Sequence, residues 1–212
     1  MTPCRRSLVL VAALLLVLAA SRTWAGPPTD ELKARIDRVM RVLEEPELKK
    51  ESKSQERRVA VRKIANEIFD FGETAKRSLA RHWPPRTPTE REEFVALFAD
   101  LLERSYISKI ELYGGEKITY VGEAIDGDQA TVRTKLVTKG GTEIPADYRM
   151  LRHEDNWLVF DVSIEGVSLI ANYRAQFNKI ITTSSYQELV KRLKTKQDEF
   201  YQDEQQKRTS QP

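Results

Sequence analysis

The sequence predicts an α+β domain, a four-stranded antiparallel sheet wrapped by a helical part, and three observations carry that prediction. Apolar residues recur at helical spacing through the first half of the chain and again near its end. Between these stretches the period changes to alternation in four successive runs. The turns joining the runs are a few residues long, which suits an antiparallel meander and leaves no room for parallel crossovers.

The helical part begins at Asp30 to Glu45, where Leu32, Ile36, Val39, Met40 and Leu43 share one face and Pro46 stops the helix. Glu47 to Gln55 is charged and reads as a loop. Val59, Ile64, Ala65, Ile68 and Phe69 mark a second helix, and Glu73 to Trp83 a third, broken by Pro84-Pro85. Thr87-Pro88-Thr89-Glu90 is a start signal in which Thr87 caps, Pro88 suits the first helical position and Glu90 closes a capping box. The long helix that follows turns Phe94, Leu97, Phe98, Leu101, Leu102, Tyr106 and Ile110 to one stripe, ended by Gly114-Gly115.

The strand-like runs are Lys117 to Ile125, Ala130 to Thr138, Glu143 to His153 and Trp157 to Ile164, with turns at Asp126-Gly127-Asp128, Gly140-Gly141 and Asp155-Asn156. Strict alternation places Tyr148 and Met150 on one face of their strand, and Leu158, Phe160, Val162 and Ile164 on one face of the next. After Gly166 the chain returns to helix with Leu169, Ile170, Tyr173, Phe177, Ile180 and Ile181 inward. Ser185 and Glu188 form a second capping box ahead of Leu189, Val190 and Leu193. Residues 26–200 thus read as one domain, its sheet at about 117–164 and its helical part at about 29–113 and 167–200. Residues 201–212 read as a polar tail that frays.

The first 25 residues have the layout of an export signal: Arg5 and Arg6, the uncharged run Leu8 to Ala20, and small residues around a cleavage site near Ala25. The apolar run is too short to cross about 30 Å of hydrocarbon comfortably, although an uncleaved anchor stays open. Cleavage removes Arg5, Arg6 and Arg22, which takes Lys and Arg from 35 to 32 and matches the 32 Asp and Glu. A nearly neutral domain lacks the basic excess that nucleic acid requires. The one cysteine, Cys4, leaves with the signal, so no disulfide is expected.

Conventional catalysis has little support. The two histidines, His82 and His153, are far apart in sequence and have no ligand pattern around them. A capping role at a helix end suits His82, and plain exposure suits His153. Asp147 and Asp161 lie inside strands, where pairing with Arg133, Arg149 or Arg152 is the commoner outcome than service as a general base. No cofactor or metal is expected. What remains is apolar surface, which by itself reads as an ordinary core.

The segment Ile144-Pro145-Ala146-Asp147-Tyr148-Arg149-Met150, then Trp157 to Val162, then Glu165-Gly166-Val167-Ser168-Leu169-Ile170-Ala171-Asn172-Tyr173-Arg174 resembles the MlaC family. Phe69-Asp70-Phe71, Arg81-His82-Trp83 and Thr87 to Arg91 are similar to it as well. The likeness runs from about Ile64 to Leu193 and is loose in the first helix and the tail. It implies a sheet like that of nuclear-transport-factor-like (NTF2-like) folds, with an apolar cavity between sheet and helices. It further implies a periplasmic phospholipid carrier, a toluene-tolerance auxiliary component of Mla-type ABC transport. Its partners would be an inner-membrane ABC transporter complex and an outer-membrane lipoprotein-porin complex, and its task outer-membrane lipid asymmetry. The same core faces then become pocket wall, and the candidates by facing are Phe71, Leu79, Phe98, Leu101, Tyr106, Tyr148, Met150, Phe160, Val162, Val167, Ile170 and Tyr173. A charge at Phe98 or Ile170 is expected to lower lipid loading without unfolding. Arg149 or Arg174 is the candidate to meet a phosphate, with an internal salt bridge the commoner fate. Two alternatives stay open: a hopanoid or other hydrophobic-ligand binder, and an enzyme using Asp147 or Asp161 on a hydrophobic small molecule.

Overall fold

The structure, a computed structural model, describes residues 27–111 and 113–209. The expected export signal and Cys4 lie outside them. Helices α1 (Pro28–Glu44), α2 (Ser54–Ile68), α3 (Phe71–Leu79) and α4 (Pro88–Glu111) precede the strands β1 (Lys117–Asp126), β2 (Gln129–Val137), β3 (Glu143–His153), β4 (Asn156–Ile164) and β5 (Val167–Ser168). Helices α5 (Leu169–Thr183) and α6 (Tyr186–Thr209) complete the described chain. The sheet is antiparallel in the order β1-β2-β3-β4-β5. The four predicted strands are therefore present, and the two-residue β5, short enough to escape a periodicity reading, makes a fifth.

Helices α1 and α2 cover one face of the sheet. Pro28 opens α1 where its missing N–H costs nothing, with Asp30 and Glu31 in the first turn favoured by the helix dipole. Leu32, Ile64 and Ile68 then meet Ala130, Val132, Met150, Trp157 and Val159 in a buried cluster. Polar bonds hold the N-terminal end of α1. Glu31 accepts from the Trp157 amide at 3.0 Å, Arg35 donates to the Trp157 carbonyl, and Thr29 donates to Glu123 on β1.

Strict alternation fails in β4. Tyr148 faces Val162, but Met150 faces Val159, so the strand carries a bulge opposite Arg149. Trp157 and Val159 below it, and Val162 above it, pack with the same cluster. Leu158 and Phe160 consequently do not share the Val162 face, because the extra residue reverses the side-chain direction. The β3–β4 turn also begins one residue earlier than expected. Glu154 takes φ 51°, and Asn156 is already paired with His153.

The other helices form a bundle. Asp70 caps α3, its carboxylate accepting from the Glu73 amide at 2.8 Å, so α3 starts before the predicted Glu73. It ends at Ala80, whose φ of 48° breaks the helical path, and a 3-10 turn follows over Ala80–His82. The Thr87–Glu90 capping box is reciprocal, with the Thr87 amide donating to Glu90 at 2.8 Å and the Glu90 amide to the Thr87 hydroxyl at 3.2 Å. At Ser185–Glu188 only the Ser185 half forms, because Glu188 pairs with Arg192. Helix α6 continues through the expected tail to Thr209; Arg104 of α4 lies 4.2 Å from the Tyr201 ring centre and gives that stretch a tertiary contact.

The α2–α4 seam illustrates an ion pair of little net worth. Glu103 meets Arg62 at 2.8 Å, yet burial pushes its carboxyl above the ordinary range despite that cation. A raised folded pKa favours folding while the acid is protonated, and that contribution fades as pH rises through it. Glu103→Gln is therefore expected to shift stability by about 1 kcal/mol or less at neutral pH. The variant should gain on the wild type as urea denaturations move from about pH 4 to about pH 7.

Candidate functional site

Three apolar clusters are joined end to end around the molecule. The helical cluster, built on α3 to α6, is dominated by rings: Phe98 meets Tyr173 and Phe177 edge-on at 4.9 and 5.0 Å, and Phe94 meets Phe177 at 5.6 Å. The sheet-side cluster lies under α1 and α2. A smaller one joins Leu43, Val61 and Ile107, so the distal half of α4 is tied to α1 and α2, with Val39 and Val42 packed against both it and the sheet-side cluster. The Phe69-Asp70-Phe71 step closes the circuit. Phe69 bridges to Val159 and packs on the sheet side, Phe71 packs on the helical side, and the two rings stack at 5.8 Å.

The twelve candidate residues divide among these surroundings. Phe71, Leu79, Phe98, Leu101, Tyr106 and Tyr173 belong to the helical cluster or its margin; Tyr148, Met150 and Val162 belong to the sheet side. Of these nine, Leu79, Phe98 and Met150 are fully packed, and the other six are half-buried. Ile170 is buried but in none of the three clusters. Phe160 is buried beside cations, with the Arg77 and Arg149 guanidinium carbons 4.1 and 5.2 Å from its ring centre. Val167 was expected inward and is 65% exposed, because Glu165 and Gly166 turn the chain with positive φ and leave it on the outer strand β5. The expectation that a charge at Phe98 or Ile170 would spare the fold also changes: at 1% and 3% exposure, such a charge would be buried without a partner.

The polar groups near these clusters are largely engaged. Asp161, 1% exposed, accepts from the Ser168 hydroxyl at 2.7 Å and the Ile170 amide at 3.0 Å, with Arg149 at 3.6 Å. A carboxylate so committed is not a poised general base. Asp147 is half-buried, flanked across the ladders by Arg133 and Ser163. Arg174 donates to the Arg77 carbonyl at 3.0 Å. His82 caps no helix end and instead meets Asn178 of α5 at 3.0 Å, and His153, half-exposed, pairs with the capping Asp70 at 2.7 Å. Burial and the neighbouring Tyr106 push the Tyr173 phenol up to about 12, and burial raises Tyr148 and Tyr120, so these rings remain neutral. Sequence reasoning passed over Tyr120, although an aromatic at an alternating position of β1 was a usable signal.

Two surface clefts add little to these surroundings. One of about 340 Å³ lies between α1 and α2, with Arg38, Arg41 and Glu45 around Val42, Leu48 and Ile64; another of about 300 Å³ is formed by polar residues of α6. Neither is lined by any of the twelve candidates. Among the described residues no group of three or more His, Cys, Asp or Glu side chains is placed to hold a metal ion, and no helix is long and apolar enough to cross a membrane.

The family model described as "MlaC protein" matches residues 33–195. The chain belongs to the MlaC family. The match takes in every candidate from Phe71 to Tyr173 and reaches into α1, which the motif resemblance covered loosely. The fold is also that of a solved structure, the phospholipid-binding protein from Ralstonia solanacearum in complex with a phospholipid. It superposes with a TM-score of 0.71 at 23% identity, covering 82% of this chain and 98% of that one.

Proposed function

We propose that this MlaC-family protein is a periplasmic phospholipid-binding carrier without enzymatic activity. The observation that carries the reading is the run of three apolar clusters, with Phe71, Leu101, Tyr106, Tyr148, Val162 and Tyr173 half-buried at the margins of the helical and sheet-side clusters. On this reading the acyl chains lie between the helical and sheet-side clusters. Family membership and the phospholipid held by the Ralstonia solanacearum protein support the ligand class. The engagement of Asp161 favours binding over turnover.

The energetics suit such a task. Two chains of about 15 methylenes, at about 0.8 kcal/mol each, resist transfer to water by roughly 24 kcal/mol, so free lipid almost never leaves a bilayer. A pocket as apolar as the bilayer makes exchange nearly isoenergetic. The protein then supplies a shielded path, and direction comes from its partners: an inner-membrane Mla-type ABC transporter complex and an outer-membrane lipoprotein-porin complex, serving lipid asymmetry.

Mass spectrometry of organic extracts from the purified mature protein is the test. Phospholipid at close to stoichiometric amounts is expected. Protein that carries none, and takes none from phospholipid vesicles after delipidation, would sink the reading; a polycyclic ligand in its place would establish the hopanoid alternative.

A further inference from the structure

Tyr120 packs its ring against the sheet-side cluster, while its hydroxyl oxygen is buried and has no hydrogen-bond partner among the described residues. Buried hydroxyls are nearly always satisfied, and one that is not calls for an explanation. Burial above all, then the neighbouring Tyr148 and Asp37 of α1, raise the Tyr120 pKa. Thr134, directly across β2, donates to the Ala146 carbonyl at 2.7 Å, and Asp37 pairs with Lys33 at 2.5 Å. The position is also shaped: β1 carries a register shift between Tyr120 and Gly122, the kind of irregularity that re-aims a side chain.

The electrostatics choose the acceptor. Asp37 disfavours an anion here, and of the α1 cations Arg35 is held by Glu31 and the Trp157 carbonyl and Arg38 by Glu67, while Arg41 lines the cleft between α1 and α2. A phosphate would lose its hydration without a counter-charge. A neutral carbonyl would not, and a diacyl lipid carries one at the head of each chain. We propose that the Tyr120 hydroxyl donates a hydrogen bond to an acyl-ester carbonyl of the bound lipid. This assignment rests on the lipid-binding reading and deepens it, because a ligand without a carbonyl would leave the hydroxyl orphaned.

The test is a cycle between protein hydroxyl and lipid carbonyl. Delipidated wild type and Tyr120→Phe are each offered vesicles of palmitoyl-oleoyl phosphatidylglycerol or of its dialkyl ether analogue, with uptake read by native mass spectrometry. Wild type should prefer the diester by about fivefold, and Tyr120→Phe should lose about fivefold on the diester and nothing on the diether. The empty variant should melt no lower than the wild type, since the substitution deletes an unsatisfied group. Equal diester uptake by both proteins, equal loss on both lipids, or a lower melting temperature for the empty variant would overturn the assignment while leaving lipid binding intact. Wild type that takes up neither lipid would overturn both.

Discussion

Asp161→Ala is expected to remove about 3 kcal/mol of stability, lowering Tm by about 9 °C in a domain of this size. The carboxylate is 1% exposed and carries the junction where β4, β5 and α5 meet. It accepts from Ser168, whose own oxygen caps α5 through the Ala171 amide at 3.0 Å, and from the Ile170 amide in the first turn. Alanine would strand that amide in the interior and loosen the cap together. The half-exposed Arg149 contributes less, because water reaches it. Urea denaturation measures the loss, and Asp161→Asn should recover about half of it by retaining one acceptor. A loss below about 1 kcal/mol would mean that the junction is held by packing instead.

Leu101→Asp and Val162→Asp should each lower phospholipid loading by about tenfold or more, since a charge against acyl chains is poorly solvated. These two positions sit on opposite sides of the proposed pocket, in the helical and sheet-side clusters. Both are half-buried, so the stability cost should stay near 1 to 2 kcal/mol and the variants should still unfold cooperatively. Extractable lipid per protein, measured beside a denaturation curve, separates the two effects. Undiminished loading in both variants would place the chains elsewhere.

The contrast with Phe98 shows what periodicity reads and what it does not. Phe98 and Leu101 lie on the same sequence stripe, and both were inward candidates. Only the assembled bundle, with Tyr173 and Phe177 edge-on to Phe98, seals the one and leaves the other at the margin. Val167 makes the same point in reverse. Its neighbours Leu169 and Ile170 turn in, but the positive-φ turn at Glu165 and Gly166 puts it on an outer strand.

The six α-helices and four long strands of the described residues, their order and the antiparallel meander were determined by the sequence alone, because helix stripes, capping boxes and short turns are local and act over a few residues. The MlaC likeness was legible for a similar reason, since its motifs are contiguous. The tertiary structure alone decided the bulge opposite Arg149 that turns Phe160 away from Val162, the commitment of Asp161, and the orphaned hydroxyl of Tyr120. The first depends on how β4 pairs with β3, and the other two on which distant groups are left to satisfy a buried donor or acceptor. That balance is struck between elements rather than along the chain, so no spacing in the sequence records it.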